Sequence, residues 1–202
     1  MTHAGPRAVL AWTAACFALL AAGALVFGAL PADTAVRDAV LGLSASWVVG
    51  VMRIANRAGD WQALLPGTLG LFLAFPRARE RWWAWAGLMV SAPLCEWALK
   101  HVVARARPDD PSFGFPSGHA TAAAAFFGAV IYLACDLPPA RRALVRALAV
   151  GGMVLVAVAR VVLRAHWPSD ALAGIALGLA LASIAALLAG QPHGGPRNGR
   201  PS

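Results

Sequence analysis

Long apolar stretches, separated by short charged segments, run through most of this chain. The first stretch covers residues 8–30, and its 23 residues exceed the apolar core of a secretory signal peptide, which has about 7–15 residues. A helix of about 20 apolar residues is long enough to cross the hydrocarbon core of a bilayer. The first stretch therefore predicts a membrane-spanning helix.

Five further apolar stretches predict five more spanning helices, at residues 61–75, 82–100, 120–135, 147–163 and 171–189. A shorter stretch at 39–52 is bracketed by charged residues, and its 14 residues favour an interfacial or re-entrant helix over a span. The segment 190–202 is rich in Gly and Pro, which predicts a disordered tail. We therefore expect an all-α, six-transmembrane helical bundle in a single domain at 1–189.

The composition agrees with a membrane protein, since 59% of the residues are hydrophobic and only 13% are charged, whereas soluble domains have about 25% charged residues. Intrinsic disorder and a disulfide scaffold are excluded, because apolar stretches dominate and there are only three cysteines. The net charge of +8 comes from 17 basic residues, all arginines except Lys100. They lie between the apolar stretches and form no single basic face, so nucleic-acid binding is not expected.

The distribution of these basic residues predicts the orientation in the membrane. With six spans and both termini on one side, nine basic residues fall on the terminal side and eight on the opposite side. Five of those eight lie in two short polar motifs and have a chemical reason to be there, which leaves nine against three. Basic loops stay in the cytoplasm, so both termini are predicted to be cytoplasmic.

Alternating spans bring several ionisable side chains to the membrane face opposite the termini. Lys100 ends the third span, His119 begins the fourth, the segment 160–166 ends the fifth, and Asp170 begins the sixth. Ionisable groups within a membrane protein cost free energy, so their concentration at one face indicates a functional site. Individually, His119 could simply start a helix and His166 could anchor a helix end at the interface.

Three short motifs make this site more specific. They are Lys100, six residues, then Arg107-Pro108; Pro116-Ser117-Gly118-His119; and Arg160, five residues, His166, three residues, Asp170. In this order they resemble the signature of the type 2 phosphatidic acid phosphatase family, whose fold is shared with vanadium-dependent haloperoxidases. The resemblance covers residues 100–174 and implies an acid phosphatase/vanadium haloperoxidase-like core within the bundle.

The family resemblance implies a role for each motif residue. His166 is expected to be the nucleophile that forms a phosphohistidine, with Asp170 orienting it and His119 as the general acid. The expected substrate-binding residues are Lys100, Arg107, Ser117, Gly118 and Arg160. Cations and a hydroxyl suit a group with about two negative charges and several acceptor oxygens. The helix start at Gly118 can present backbone amides to the same group. A metal ion or other cofactor is not expected.

One position departs from the family pattern. Ala159 stands where a serine usually precedes the arginine of the third motif. Its hydroxyl would supply one neutral hydrogen bond, worth about 0.5–1.5 kcal/mol, so phosphate binding is expected to weaken modestly.

Four residues near the motifs have interpretations other than catalysis. Asp170 could cap the sixth helix as well as orient His166. Glu96 lies four residues before Lys100 and is expected to pair with it. Arg105 could contact either the phosphate or a lipid headgroup, and Asp109 is interpreted as ordinary loop polarity.

These patterns predict an integral-membrane lipid phosphatase of the bacterial cytoplasmic (inner) membrane, with its site facing outward. Candidate substrates are an isoprenyl diphosphate such as undecaprenyl diphosphate, phosphatidic acid, phosphatidylglycerol phosphate and a lipid A phosphate. The alternatives are a lipid phosphotransferase with the same motifs and a non-catalytic lipid-binding membrane protein. The sequence leaves open the headgroup, the lipid chain and the oligomeric state. Substrate specificity is expected to reside in 31–60.

Overall fold

The computed structural model describes residues 5–190 and consists of helices joined by short loops. The predicted tail at 190–202 lies outside the described residues except for Gly190. The helices are α1 (Pro6–Phe27), α2 (Pro31–Gly42), α3 (Ser46–Asn56), α4 (Trp61–Ala74), α5 (Pro76–Glu80), α6 (Trp82–Val103), α7 (Gly118–Leu133), α8 (Pro139–Val162) and α9 (Pro168–Leu188). No β-strand occurs among residues 5–190, so the predicted all-α class is confirmed.

Helices lie at all six positions where spans were predicted. Four of them, α1, α7, α8 and α9, are long and apolar enough to cross a membrane. The helix α4 is apolar but has only 14 residues, and α6 carries Glu96 and Lys100 in its second half. The six-span count therefore stays a prediction, whereas the multi-pass membrane architecture follows from the four long apolar helices.

The segment 31–60 differs from its prediction. A single interfacial or re-entrant helix was expected at 39–52, but two helices occupy this region, and α2 and α3 meet at an angle of 115°. The break falls at residues 43–45, where Ala45 is extended and Ser46 starts α3. Gly42 and Ser44 are weaker helix formers than their apolar neighbours, which explains why the helix ends there.

The centre of the bundle is the pair α7 and α9, and α9 also packs against α1, α6 and α8. Small residues let these two backbones approach closely. A Cβ atom on Gly174 would lie 2.6 Å from the Ser117 carbonyl oxygen, and one on Gly178 would lie 2.4 Å from the Thr121 carbonyl oxygen. Both glycines are therefore required by this packing.

Backbone contacts hold the motif-bearing helix ends together. The amide of Ser117, just before α7, donates to the carbonyl of Asp170 in the first turn of α9, at 3.0 Å. The loop 104–117 that leads to α7 folds back on itself, since the amide of Gly114 donates to the Arg105 carbonyl at 2.7 Å. The second and third motifs therefore meet at one end of the bundle.

Candidate active site

The turn between α8 and α9 places His166 against Asp170. The chain reverses after α8 through Arg164, whose φ of 57° is left-handed. His166 Nδ1 then lies 3.5 Å from Asp170 Oδ2, and the two side chains are 1% and 0% exposed. Asp170 Oδ2 also accepts a hydrogen bond from the Trp167 amide at 3.0 Å. Asp170 therefore both caps α9 and faces the imidazole, as the sequence allowed.

Burial and nearby cations hold His166 in its neutral form. Burial and the positive charges of Arg160 and Arg107 together lower the pKa of His166 to about 4, against the opposing effect of Asp170. A neutral imidazole has a free lone pair, so His166 is in the state that nucleophilic attack requires.

The expected phosphate-binding residues surround this histidine. Ser117 Oγ and Arg160 Nε are buried and have no hydrogen-bond partner among the described residues. Arg160 is held at its other end, where Nη1 donates to Asn56 Oδ1 at 2.8 Å. Arg107 lies across Gly114 from Asp170, because a Cβ on that glycine would lie 3.0 Å from both the Arg107 Cγ and Asp170 Oδ2. Orphaned donors beside two arginines suit a bound oxyanion.

Glu96 orients Lys100 beside the start of α7. The two side chains form an ion pair one helical turn apart on α6, which confirms the expected pairing. A Cβ on Gly118 would lie 2.8 Å from Glu96 Oε1, so the start of α7 lies directly against this pair. The Lys100 ammonium is therefore brought next to the first amides of α7.

His119 has a carboxylate partner that the sequence did not indicate. His119 Nε2 lies 2.6 Å from Asp60 Oδ1, and both side chains are about one-third exposed. Asp60 directly precedes α4 and is 59 residues away in the chain. No motif spacing links the two positions, so only the fold reveals the contact.

Arg105 corrects the lipid-headgroup interpretation that the sequence left open for it. It is only 5% exposed, so it does not reach out to a lipid headgroup. Its Nη1 donates to Asp170 Oδ1 at 2.8 Å, and its Nη2 donates to Asp33 Oδ2. Both terminal nitrogens of the guanidinium therefore bind carboxylates, and Asp33 joins the site although motif analysis gave no indication of it.

A second ion pair ties α2 to the motif loop. Arg37 Nη2 contacts both oxygens of Asp109, at 2.8 and 2.6 Å. Asp109 was interpreted as loop polarity, which is wrong, because it fixes the loop 104–117 to α2. The Arg37 guanidinium also lies 5.7 Å from the centre of the Trp167 ring.

An apolar groove of about 290 Å³ begins beside His119 and lies between α4, α6 and α7. Gly59 lies at the end nearest His119, since a Cβ on Gly59 would lie 3.0 Å from the His119 Cβ. The rest of the wall is apolar except for one threonine; it includes Trp61, Leu64, Leu65, Met89 and Ala92. An alkyl chain attached to a phosphate at the site fits such a surface.

Ala159 is fully buried in the last turns of α8. The residue before Arg160 therefore contributes a buried methyl group and not the hydroxyl that the family pattern usually has there. Within residues 5–190, no group of three or more His, Cys, Asp or Glu side chains is arranged to hold a metal ion.

Two relatives and a family model match this sequence. The model of the PAP2 superfamily matches residues 81–191, more than half of the chain. Phosphatidylglycerophosphatase B of Bacillus subtilis (strain 168) is 31% identical over 181 residues, covering 82% of this chain and 87% of that protein. Decaprenylphosphoryl-5-phosphoribose phosphatase of Mycobacterium tuberculosis (strain CDC 1551 / Oshkosh) is 34% identical over 126 residues, covering 55% of this chain and 63% of that protein.

A solved structure shares the fold. It is the crystal structure of a transmembrane PAP2 type phosphatidylglycerolphosphate phosphatase from Bacillus subtilis, with a TM-score of 0.78 and 27% sequence identity. The similarity covers 89% of this chain and 94% of that chain. The resemblance that the three motifs indicated is therefore confirmed, and the chain belongs to the PAP2 superfamily.

Proposed function

We propose that this PAP2-type lipid phosphatase moves a phosphoryl group from a lipid phosphomonoester or an isoprenyl diphosphate first to His166 and then to water. The observation that carries the proposal is the convergence of Ser117 Oγ and Arg160 Nε, both buried without partners among the described residues, beside the His166–Asp170 pair. Donors placed in this way stabilise the charge that develops on a transferring phosphoryl group.

In the first step, the Nε2 lone pair of neutral His166 attacks phosphorus and the bond from phosphorus to the leaving oxygen breaks. His119 gives its proton to that oxygen, so the lipid alcohol or lipid phosphate leaves in its protonated form. Asp170, whose Oδ2 lies 3.5 Å from His166 Nδ1, balances the positive charge on the phosphorylated imidazole. Lys100, Arg107 and Arg160 offset the charge of the equatorial oxygens.

In the second step, water attacks phosphorus and the bond between phosphorus and Nε2 breaks. His119, now neutral, takes a proton from the water, and the electron pair of the broken bond returns to His166. Inorganic phosphate is released and both histidines regain their initial state. Burial and the charge of Arg160 disfavour the protonated form of His119 on which the first step depends, and Asp60, hydrogen-bonded to His119 at 2.6 Å, opposes them.

The apolar groove favours a lipid as the substrate. Its Gly59 end lies against His119, the residue expected to protonate the leaving group. A lipid bound with its phosphate near His166 would direct its leaving group towards this end of the groove. The names of the two relatives, a phosphatidylglycerophosphatase and a decaprenylphosphoryl-5-phosphoribose phosphatase, also describe phosphatases of lipids. We infer a lipid headgroup phosphate as the substrate class.

We further propose that the protein lies in a bacterial cytoplasmic membrane with its site on the outer face and both termini in the cytoplasm. The basic residues outside the motifs support this orientation, with nine on the terminal side and three on the site side.

The deciding experiment measures phosphate release by detergent-purified protein in the presence of EDTA. The panel contains undecaprenyl diphosphate, phosphatidic acid, phosphatidylglycerol phosphate and lipid A. His166→Ala serves as the blank, because it removes the attacking nitrogen while the cationic residues remain. Arg53→Ala is the matched control, since Arg53 is exposed on α3.

Phosphate release by the wild type and Arg53→Ala, but not by His166→Ala, is the expected result, and the lipid with the highest kcat/KM identifies the preferred headgroup. Substantial release by His166→Ala would contradict the nucleophile assignment. Loss of activity with EDTA that Mg²⁺ restores would contradict metal independence. If no lipid releases phosphate, the hydrolase proposal fails, and transfer of radiolabelled phosphate to an added lipid tests the phosphotransferase instead.

A further inference from the structure

A buried charge network lies behind the His166–Asp170 pair. Asp170 uses one carboxylate oxygen for His166 and the Trp167 amide, and the other accepts the 2.8 Å hydrogen bond from Arg105. The Arg105 side chain is 3% exposed and that of Asp33, its second partner, is also 3% exposed. The chain Asp33–Arg105–Asp170–His166 is therefore almost fully shielded from water.

The Asp33 carboxylate is held firmly, because its two oxygens accept hydrogen bonds from four donors. Oδ1 accepts the Ser169 amide at 2.8 Å. Oδ2 accepts the Ser169 hydroxyl at 2.7 Å, the Leu30 amide at 3.0 Å and the Arg105 guanidinium. Burial opposes ionisation, but these hydrogen bonds outweigh it and lower the pKa of Asp33 below its usual value, so the carboxylate is ionised.

Arg105 cannot be replaced by another cation without losing this geometry. Its Nη1 donates to both Ser169 Oγ and Asp170 Oδ1, at 2.7 and 2.8 Å, while Nη2 donates to Asp33. The guanidinium centre also lies 5.6 Å from the centre of the Trp167 ring. A planar fork can bridge two carboxylates in this way, whereas the single ammonium of lysine cannot hold both in the same arrangement.

We propose that Arg105 and Asp33 are positioning residues that hold Asp170, and through it the His166 imidazole, in the geometry for attack on phosphorus. The inference rests on the proposed role of His166 as the nucleophile. Two carboxylates and one guanidinium leave the network with one net negative charge, which matches the positive charge that the imidazole ring gains when its Nε2 is phosphorylated.

One of these two positioning residues lies outside the part of the chain that the family model matches. The family model begins at residue 81, whereas Asp33 lies on α2. The contact between α2 and α9 is made through Asp33 and Ser169, 136 residues apart in the chain. The segment 31–60 therefore supports the nucleophile, in addition to contributing Asp60 to His119.

The test compares three variants of the full-length protein. Arg105→Lys keeps the positive charge but loses the double bridge. Asp33→Asn keeps the shape of the side chain and an acceptor for the Ser169 amide, but removes the charge. Arg53→Lys is the matched control, because it makes the same chemical change at an exposed arginine on α3. Thermal melting in detergent shows that each variant is folded before any activity is compared.

Two inorganic probes separate positioning from simple structural support. Orthovanadate binds best when a histidine nitrogen can complete a five-coordinate, transition-state-like adduct, whereas inorganic phosphate needs only the cationic residues and Ser117. Calorimetry measures both affinities without any lipid. The kcat and KM for phosphate release from the best lipid are then measured on the same preparations.

We expect Arg105→Lys and Asp33→Asn to lower kcat and vanadate affinity by about 10- to 100-fold, with phosphate affinity and KM changed by less than about threefold. Wild-type kcat and vanadate affinity in both variants would overturn the proposal. So would an equal loss of vanadate and phosphate affinity, since that result indicates general damage to the site. A wild-type protein that binds vanadate no better than phosphate would instead count against the proposed function of His166.

Discussion

The buried histidine at the end of α8 shows how its surroundings choose a protonation state. His166 is enclosed by the bundle and lies near two arginines, and both effects oppose a second proton on the ring. The negative charge of Asp170 favours a protonated ring, but burial and the two arginines outweigh it. The proposed nucleophile is therefore neutral at the pH of the cell without help from a separate base.

The first prediction concerns this protonation state. The ring of His166 is expected to titrate near pH 4, because burial and the charge of Arg160 lower its pKa. NMR of protein labelled with ¹⁵N-histidine measures the titration, and the signal missing from His166→Ala gives the assignment. Since an unfolded histidine binds a proton near pH 6.5, the contribution of His166 to stability is lost as the pH falls from about 6.5 to 4. If the signal assigned to His166 titrated near pH 6.5, the prediction would be wrong.

The second prediction concerns the cations. Lys100→Ala and Arg107→Ala each remove a positive charge that faces the transferring phosphoryl group, so kcat/KM is expected to fall by about 10²–10³-fold. Melting temperatures should change little. Arg141→Ala, an exposed arginine at the start of α8, is the control and should keep the wild-type kcat/KM. Equal losses of kcat/KM in all three variants would mean that the net charge of the protein, and not the position of each cation, determines kcat/KM.

Motif analysis identified the residues proposed to act on phosphate but not the carboxylates that contact them. Lys100, His119 and His166 stand at spacings that the family resemblance makes recognisable. Asp33 and Asp60 stand alone in a segment without any motif, and their partners are 136 and 59 residues away. Such contacts depend on how α2 and α3 fold over the bundle end, which no local pattern encodes.

At the scale of the helices, close packing of α7 and α9 fixes the site. Ser117 and Asp170 stand at the starts of these two helices and are joined by a backbone hydrogen bond. Any increase in the distance between the helices would separate the second motif from the third. The glycines at their contact therefore matter for activity although they lie away from the phosphate.

The third prediction tests this contact with a pair of matched substitutions. Gly178→Ala places a Cβ only 2.4 Å from the Thr121 carbonyl oxygen, and overpacking of this kind costs about 1–3 kcal/mol. Gly151→Ala on α8 is the control, because a Cβ there meets no atom within 4 Å. We expect a lower melting temperature and lower activity only for Gly178→Ala. Equal melting temperatures would show that the backbones can separate without loss of stability.

Helix positions were predictable because apolar length and charged boundaries are local properties of the chain. The break at 43–45 was not, since the apolar residues continue across it and the stop comes from weak helix formers among them. In α6 the helix was predictable but the span was not, because Glu96 and Lys100 interrupt the apolar pattern in its second half.

At the scale of the whole molecule, charge distribution and site position together define an orientation. The motif loops and the segment 31–60 lie at one end of the bundle. The arginines at 141, 142 and 146 stand at the start of α8, and α8 leads from them to the motif residues at its other end. Positive loops on the cytoplasmic side would therefore place the site outside.

The fourth prediction tests this orientation in intact cells. In a background without Cys16, Cys95 and Cys135, Ser112→Cys in the motif loop is expected to react with a membrane-impermeant maleimide added outside. Arg141→Cys is expected to react only after the cells are lysed. Both positions are exposed, so accessibility differs only by the side of the membrane. The reverse pattern would invert the proposed topology.

The distribution of the site along the chain has a consequence for biosynthesis. Asp33 enters the membrane early, Lys100 and Arg107 follow, and His166 and Asp170 arrive with the last helix. Until α9 is inserted, the growing protein has the cations proposed to bind phosphate, but His166 lacks Asp170, the carboxylate proposed to orient it. On the proposed mechanism, hydrolysis begins only when α9 is in place, and a nascent or truncated chain that ends before α9 is expected to be inert.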